Sequence, residues 1–485
     1  MKASKNSKSV FLITIDALRP DHLKAYGYQR DTTPNLTEFA KRGVLFSNAF
    51  TNGPETPSSF CSIFTSSLPL VEGGFSPLPR QKVYFPQLLK ENDIFCYAIH
   101  SNPNLSRIFN YDRGFDVFLD GERFKSLNRS ETNLKSFLIS SIRKLVEYKG
   151  LIRRVMFKLI GFNKIKNFLR QKFPKITDIL LPFTPMAYNA PYLVNKIISF
   201  LKSHDGPLFL WTHFMDVHSP YDPPLENLIN VRGSKLSPSR HSHLINDVYD
   251  TPHNFDITED IIHDLEDLYD GEINFMDEYL GVLLDFISKR YKKDCLILIL
   301  ADHGESFFEH GYFNHQGHVY EQLLKVPLIL NINGYAPKQS KVSEIVQLMD
   351  IAPTILDFFN IPSPEEYSGQ SLLPLIRGKQ INKEDMIITE TYQKRGKMKR
   401  NNQEGYKLIS LRTETWKFIY DEEQGTESLF NIKSDPEEAI NLIEQKPELT
   451  QEFRSKLANH LERIELVNEK SKLSSVIQKL DLSKL

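Results

Sequence analysis

Cys295-Leu-Ile-Leu-Ile-Leu-Ala301 is an unbroken apolar run, and Asp302-His303-Gly304-Glu305 follows it without a spacer. A run this short and this uniformly apolar reads as a strand covered on both faces, the kind found inside a parallel sheet. Val10-Phe-Leu-Ile-Thr-Ile15 repeats the pattern and also stops at an acid, Asp16. Phe95–Ile99, Pro207–His213 and Val326–Ile332 are further strands of this type, with His100 directly after the first. Between them, helical periodicity marks Asn35–Arg42, Pro57–Thr65, Pro191–Ser203, Thr258–Arg290 and Met349–Phe359. The alternation predicts an α/β protein with a doubly wound, mostly parallel sheet. Ligands bind such sheets at the carboxyl ends of the strands, where Asp16, His100, Asp302 and His303 all fall.

This pattern fills residues 1–122 and 178–380. From about Lys383 it changes to short antiparallel strands, Met386–Thr391, Tyr406–Leu411 and Trp416–Tyr420, then an amphipathic helix from Glu448 to about Leu466. Residues 381–485 are therefore expected to form a small C-terminal α+β subdomain. Residues 123–177 differ again: they hold 15 Lys/Arg and two acids, which leaves 45 basic and 59 acidic residues elsewhere. Leu151, Ile152, Val155, Met156, Leu159 and Ile160 share one face of a helix there. Such a basic helical insertion can lie on an anionic membrane surface, pack on the acidic body of its own chain, or meet a highly anionic substrate.

Composition narrows the function. With 40% hydrophobic and 25% charged residues in 485, the chain has ample material for a core, and wholesale disorder is excluded. The net charge of −1 argues against a chain devoted to nucleic acid. Cys61, Cys96 and Cys295 cannot close a disulfide framework among themselves, which suits a reducing compartment. The polar, basic start and the absence of a long apolar run predict a cytoplasmic protein, with a place at the inner membrane surface if residues 123–177 bind lipid. The terminal Ser483-Lys484-Leu485 is read as a chance match to a peroxisomal address.

Three constellations carry chemistry. Asp302 and His303, with Asp16 from the other strand end, are a hard and borderline donor set for one divalent ion. His213 and His218 bracket Asp216 after one strand, while His310 and His315 follow the Asp-His pair, and histidines so grouped suit an anion or a leaving group. Asn52-Gly-Pro-Glu55-Thr56-Pro57-Ser58-Ser59 opens a helix, with Thr56 expected as its N-cap. A hydroxyl there meets unpaired backbone N–H groups and the positive end of the helix dipole, so its ionisation and an incoming sulfate or phosphate are both favoured.

Taken in chain order, these segments resemble the sulfatases of the alkaline-phosphatase superfamily. The resemblance is carried by Thr14-Ile-Asp16-Ala-Leu-Arg-Pro-Asp21, Thr33-Pro-Asn-Leu36, the Thr56-Pro57-Ser58 helix start, Tyr111-Asp-Arg-Gly-Phe-Asp116, His213 to Pro224, Ala301 to His315, Val326-Pro-Leu328 and Asp350-Ile-Ala-Pro-Thr-Ile355. Leu429-Phe-Asn-Ile-Lys-Ser-Asp-Pro-Glu-Glu438 resembles the family's C-terminal subdomain. The resemblance implies an α/β/α sandwich and a metal-dependent hydrolase of sulfate or phosphate esters, acting on an anionic sugar, lipid or small molecule.

It implies Asp16, Thr56, Asp302 and His303 around one Ca²⁺, Mn²⁺ or Zn²⁺, with His218, His315 and His310 serving the reacting and leaving oxygens. His213, His100 and Asn102 would line the substrate pocket. Two positions depart from the family pattern. Where many members carry the Cys-x-Pro-x-Arg cysteine that becomes formylglycine, this chain has Glu55 and no following arginine. A carboxylate cannot act as a hydrated aldehyde, so no formylglycine is expected and Thr56 becomes the nucleophile, with Ser58 as the fallback. Ala17 replaces a second metal-binding aspartate, and both departures add weight to a phosphodiesterase, phosphonate hydrolase or phosphoglycerol-type transferase. A catalytically inactive binding module is the remaining class.

Overall fold

A computed structural model describes residues 8–121, 188–249, 256–315, 317–381, 386–393 and 406–482. The basic segment 123–177 lies outside these residues. The expected runs form the middle of a large sheet: β1 (Ser9–Ile15), β2 (Val44–Phe50), β3 (Phe95–His100), β4 (Val117–Leu119), β5 (Leu208–Phe214) and β6 (Cys295–Ala301). β7 (Ser306–Phe307) and β8 (Phe313–Asn314) make a small separate ribbon. β9 (Lys325–Asn333), β10 (Lys341–Val342) and β11 (Val346–Gln347) complete the large sheet, whose order is β10-β2-β9-β6-β1-β5-β3-β4 with β11 beside β2.

Strands β6, β1, β5, β3 and β4 run parallel, and β9 runs antiparallel to both β6 and β2. All seven residues of β1, β5 and β6 are buried, which is why their sequences show no alternation. Each fully buried Leu, Ile or Phe contributes roughly 1.5–3 kcal/mol, so these three strands anchor the core. β2 escapes a purely apolar search because Ser47 and Asn48 interrupt it, at the register shift between Phe46 and Ala49.

Helices α1 (Pro34–Ala40), α2 (Thr56–Thr65), α3 (Ala190–Ser203), α4 (Glu259–Arg290) and α5 (Ile351–Phe359) flank the sheet close to their expected limits. The start of α2 corrects one expectation. Glu55, not Thr56, is the N-cap: it is extended at φ −144°, and its carbonyl accepts the N–H of Ser59 at 2.9 Å. Thr56 is the first helical residue, so its side chain sits at the mouth of the helix without capping it.

The C-terminal subdomain is a four-stranded antiparallel sheet, β12 (Ile387–Gln393), β13 (Tyr406–Arg412), β14 (Trp416–Asp421) and β15 (Thr426–Asn431), in that order. α6 (Pro447–Leu482) packs Phe453 and Leu457 on Leu411, Phe418 and Leu429 and extends past the expected end near Leu466. β12 also runs against the loop before α2. Glu390 N–H donates to the Asn52 carbonyl at 3.0 Å, Thr389 to Thr51 at 2.7 Å, and Thr391 to the Glu55 carboxylate at 3.0 Å. The subdomain thus braces the segment that presents Thr56.

Candidate active site

Register places the first two acids. Ile15 pairs with Ala301 across the parallel β1–β6 ladder, so Asp16 and Asp302 leave the sheet side by side at its carboxyl edge. Both carboxylates are completely buried, as is His303. Donor atoms of these three residues lie within 4.8 Å of one another, the one such group among the described residues. Asp302 Oδ1 accepts the N–H groups of Ala17 and His303 at 3.3 and 3.0 Å, which aims the carboxylate without satisfying it. Asp16 Oδ1 and Asp302 Oδ2 are buried with no hydrogen-bond partner.

α2 delivers the nucleophile candidate. Thr56 Oγ1 lies 3.3 Å from His303 Nε2 and 3.5 Å from Asp16 Oδ2. Two short hydrogen bonds pin the helix there: Ser59 donates to the Asp302 carbonyl at 2.7 Å, and Thr51 donates to Ser59 at 2.9 Å. Gly53 makes the tight approach possible, since a Cβ at that position would stand 2.3 Å from Ser58 Oγ. Ser58 itself donates to the Glu55 carbonyl at 3.0 Å, directed back into the turn. Thr56, not Ser58, is the hydroxyl brought to the acids.

Electrostatics divides the carboxylates. Burial works to raise Asp16, but His218, His213 and His303 around it hold the group well below the usual carboxylate range. Asp302 is pushed up to about 7 by burial and then by the Asp16 charge. His303 is lowered to about 4 by burial and by His315, and its Nδ1–H donates to the Gly304 carbonyl at 2.8 Å. That fixes Nε2 as an unprotonated donor facing the acids. Two carboxylates with orphaned oxygens beside a neutral imidazole are costly to bury unless a cation joins them, so the residues present fit a divalent ion.

The remaining histidines separate into two groups. His315 and His218 stand in a row with His303, at ring distances of 4.5 Å for His303–His315 and 5.1 Å for His218–His315. His315 Nδ1 meets Glu305 Oε1 at 3.1 Å, and Tyr221 donates to the other Glu305 oxygen at 3.0 Å. Burial opposes its charge, but Glu305 outweighs burial and holds the imidazolium up to about 9. His218 Nδ1 is 2.6 Å from the Ser219 carbonyl.

His310 does not join them. It stacks on Tyr320 at 3.7 Å, and its charged neighbours are Lys417, Glu309 and Glu437. The turn through Phe308 and His310, both at positive φ, carries its ring toward the C-terminal sheet.

Three expected pocket-wall residues have other roles. His213 uses both ring nitrogens, Nε2 with Asp16 Oδ2 at 3.0 Å and Nδ1 with Thr14 Oγ1 at 2.9 Å, so it orients the carboxylate from behind. Asn102 likewise donates to Asp16 Oδ2 at 3.0 Å. His100 is wholly buried against Trp211 and Phe118 and pushed down to about 3 by burial and by His213, which makes it a neutral packing residue. Glu305, Tyr221, Thr14 and Ser59 serve the site without having been singled out. Glu305 stood in plain view after Asp302-His303, but its tie to a histidine ten residues on is a tertiary contact.

Residues 8–361 match the protein family described as Sulfatase, well over half of the chain. The chain belongs to the sulfatase family. Residues 308–466 of this sulfatase-family member also match the C-terminal region described as N-sulphoglucosamine sulphohydrolase, C-terminal. An arylsulfatase of Clostridium perfringens is 25% identical over 463 residues, covering 90% of each chain. The phosphonate monoester hydrolase of Agrobacterium radiobacter superposes with a TM-score of 0.67 at 18% identity, covering 94% of this chain and 96% of the other. A 2-O GAG sulfatase gives 0.65 at 18% identity, covering 95% and 93%. At that identity the two solved structures show a shared fold. The sulfatase-family chain is thus a hydrolase of that superfamily with a buried cation-type cluster at its sheet edge.

Proposed function

We propose that this chain hydrolyses sulfate esters with the Thr56 hydroxyl as nucleophile and one divalent ion held by Asp16, Asp302 and His303. The observation that carries the reading is the position of Thr56 Oγ1, 3.3 Å from His303 Nε2 at the first turn of α2. A mixed carboxylate and imidazole donor set suits Mn²⁺ or Zn²⁺ at least as well as Ca²⁺. When bound, such an ion lowers the pKa of a neighbouring hydroxyl and polarises an ester oxygen.

The chain's own groups supply the rest. His213 and Asn102 keep Asp16 oriented as the charged carboxylate. The Thr56 hydroxyl first loses its proton to solvent, and its ionised Oγ forms a bond to sulfur as the bond from sulfur to the leaving alkoxide breaks. His218 and His315 offset the negative charge on the ester oxygens, and His315, held as imidazolium by Glu305, gives its proton to the leaving oxygen. Water then attacks sulfur, returns a proton to His315 through the general-base step and frees Thr56. A second alcohol in place of water makes the same site a transferase. Glu55 in place of the formylglycine cysteine is the reason a covalent threonine ester replaces aldehyde chemistry.

Phosphodiesters and phosphonates form the second reading, favoured by Thr56 and Ala17, since one ion and a simple alkoxide suffice for phosphoryl transfer. The substrate is an anionic ester of a sugar, lipid or small molecule. The three free, buried cysteines suit the cytoplasm, which cell fractionation would test. No helix among the described residues is long and apolar enough to cross a membrane. The deciding experiment compares p-nitrophenyl sulfate, the phosphate monoester, a phosphodiester and a phenylphosphonate, each with Ca²⁺, Mn²⁺ or Zn²⁺, for the wild type and Thr56→Ala. Sulfate turnover that vanishes in Thr56→Ala establishes the first reading. Preference for a phosphorus ester establishes the second, and sulfate turnover that survives in Thr56→Ala overturns the nucleophile.

A further inference from the structure

We propose that Cys61 and Lys82 are a redox modification site, where the thiol and the amine join through one oxygen atom in a reversible N–O–S bridge. The inference goes beyond the ester chemistry and does not depend on it. Among the described residues the buried lysines are Lys82 and Lys417. Lys417 meets the carboxylates of Glu321 and Glu438 at 3.3 and 2.7 Å. Lys82 forms no ion pair among those residues: its Nζ donates to the Leu68 carbonyl at 2.9 Å and to Ser67 Oγ at 3.1 Å, and it faces Cys61 Sγ at 3.2 Å. A buried ammonium without a carboxylate partner is costly, so a scaffold role of the Lys417 kind does not account for this lysine. What the core holds there is a primary amine in contact with a thiol.

The pair spans two segments. Cys61 belongs to α2, the helix that presents Thr56, and Lys82 to the segment between α2 and β3, so a bridge ties that helix to the chain that follows it. At 3.2 Å, sulfur and nitrogen need only a small approach to share one oxygen, whereas a direct S–N bond needs a far larger one. The thiol lies close under the surface, 4.0 Å from the carbonyl of Gly74, beside the exposed Gly73. Local opening of that turn, whose two glycines stand at φ +92°, admits hydrogen peroxide. The first peroxide takes the thiol to a sulfenic acid and leaves as water. The amine, its ammonium having given a proton to solvent, then bonds through nitrogen to the sulfenic oxygen as the O–O bond of a second peroxide breaks. The sulfenic hydrogen and one amine hydrogen leave with that peroxide as two waters. Sulfur loses two electrons in the first step and nitrogen two in the second, each pair taken up by one peroxide. Cys96 and Cys295 are internal controls, since neither hydrogen-bonds a lysine among the described residues and burial pushes both thiols up.

The test is mass spectrometry of the full chain, exposed to hydrogen peroxide while folded and then denatured without reductant. One oxygen gained and two hydrogens lost should add about 14 Da, and fragmentation of the wild type should locate the link between Cys61 and Lys82. Dithiothreitol should remove the added mass, and C61S and K82R should each abolish it, with unfolding temperature showing that both variants are folded. Because the bridge joins positions 21 residues apart, the oxidised wild type should also unfold about a few degrees above the reduced form. A treated wild type without the cross-link, Cys61 carried instead to the sulfinic acid at about 32 Da, or a 14 Da gain of about the same yield in K82R would each overturn the proposal. The readout is a mass, so an inactive wild type would count against the Thr56 mechanism and leave this result standing.

Discussion

Two regions of this molecule bury ionised groups, and they do so in opposite ways. Beneath the C-terminal sheet, Lys417 is wholly buried, 2.7 Å from Glu438 and 3.3 Å from Glu321, while Arg412 reaches Glu321 at 3.2 Å and lies over the Phe50 ring at 3.8 Å. Cations and carboxylates alternate there, two of each. At the carboxyl edge of β1 and β6, two carboxylates face each other with a neutral imidazole and two orphaned oxygens. The first arrangement balances its charges within the chain, although Lys417 Nζ and Glu438 Oε1 meet as an ion pair and not in hydrogen-bond geometry, and it fastens one body to the other. The second is complete only with a cation and a reacting group, so an imbalance of buried charge marks the chemistry and a balance marks the scaffold.

The largest effect that would test this contrast is kinetic. Thr56→Ala removes the α2 hydroxyl that faces both Asp16 and His303, and turnover should fall by roughly 10⁴-fold or more with an unchanged unfolding temperature. A loss under about tenfold would mean that the acids, not the hydroxyl, define the centre.

Next in size are the two regions' opposite answers to losing a carboxylate. Glu438→Gln leaves Lys417 buried beside a single acid and should destabilise the protein by about 3–5 kcal/mol in urea unfolding. Asp302→Asn removes one of two mutually repelling carboxylates, so the metal-free protein should be as stable as the wild type or more so, while bound metal and turnover are lost. Metal binding to the wild type should weaken about tenfold per pH unit below 7, because Asp302, raised to about 7, must then give up a proton. If both substitutions destabilised the chelated protein alike, the distinction drawn above would fail.

A smaller shift concerns pH. His315 is raised from 6.5 to about 9 by Glu305. Its contribution to stability is therefore fully present below pH 6.5 and lost as pH rises through 9, and the rate should fall over the same limb if the imidazolium is the acid. Glu305→Gln keeps the hydrogen bond but not the charge, so the limb should move down by about one to two pH units. A limb that stays near 9 would assign the proton to another group.

The acid edge was legible because β1 and β6 advertise themselves: continuous apolar runs whose last residue abuts Asp16 and Asp302-His303, with register doing the rest. Thr56 was legible through Pro57, although the helix begins one residue earlier than that proline suggests. What stayed hidden depends on packing. His213 and Asn102 resemble pocket residues in the sequence, but parallel pairing sets His213 opposite Thr14, where one ring nitrogen meets the Thr14 hydroxyl and the other Asp16. β2 and β15 carry polar residues at bends and edges, so apolar counting passes over them. No local pattern could show that Thr391, more than three hundred residues away, would hold Glu55.

His310 provides the smallest effect and the finest test, because it and His315 sit five residues apart in one loop yet fall on opposite sides of the divide. His310 lies against Tyr320 among Lys417, Glu309 and Glu437, and burial and then Lys417 push its pKa down, which disfavours it as the proton donor to a leaving group. His315 faces His303 and carries its proton on the authority of Glu305. His315→Ala should therefore cut kcat by about 10² to 10³-fold on substrates with poor leaving groups and far less on nitrophenyl esters, whose departure needs little acid help. His310→Ala should change kcat by less than about threefold on either, with a stability loss within about 1 kcal/mol. Equal losses in the two variants, with the same dependence on leaving group, would place His310 in the reacting centre and show that this loop rearranges when substrate binds.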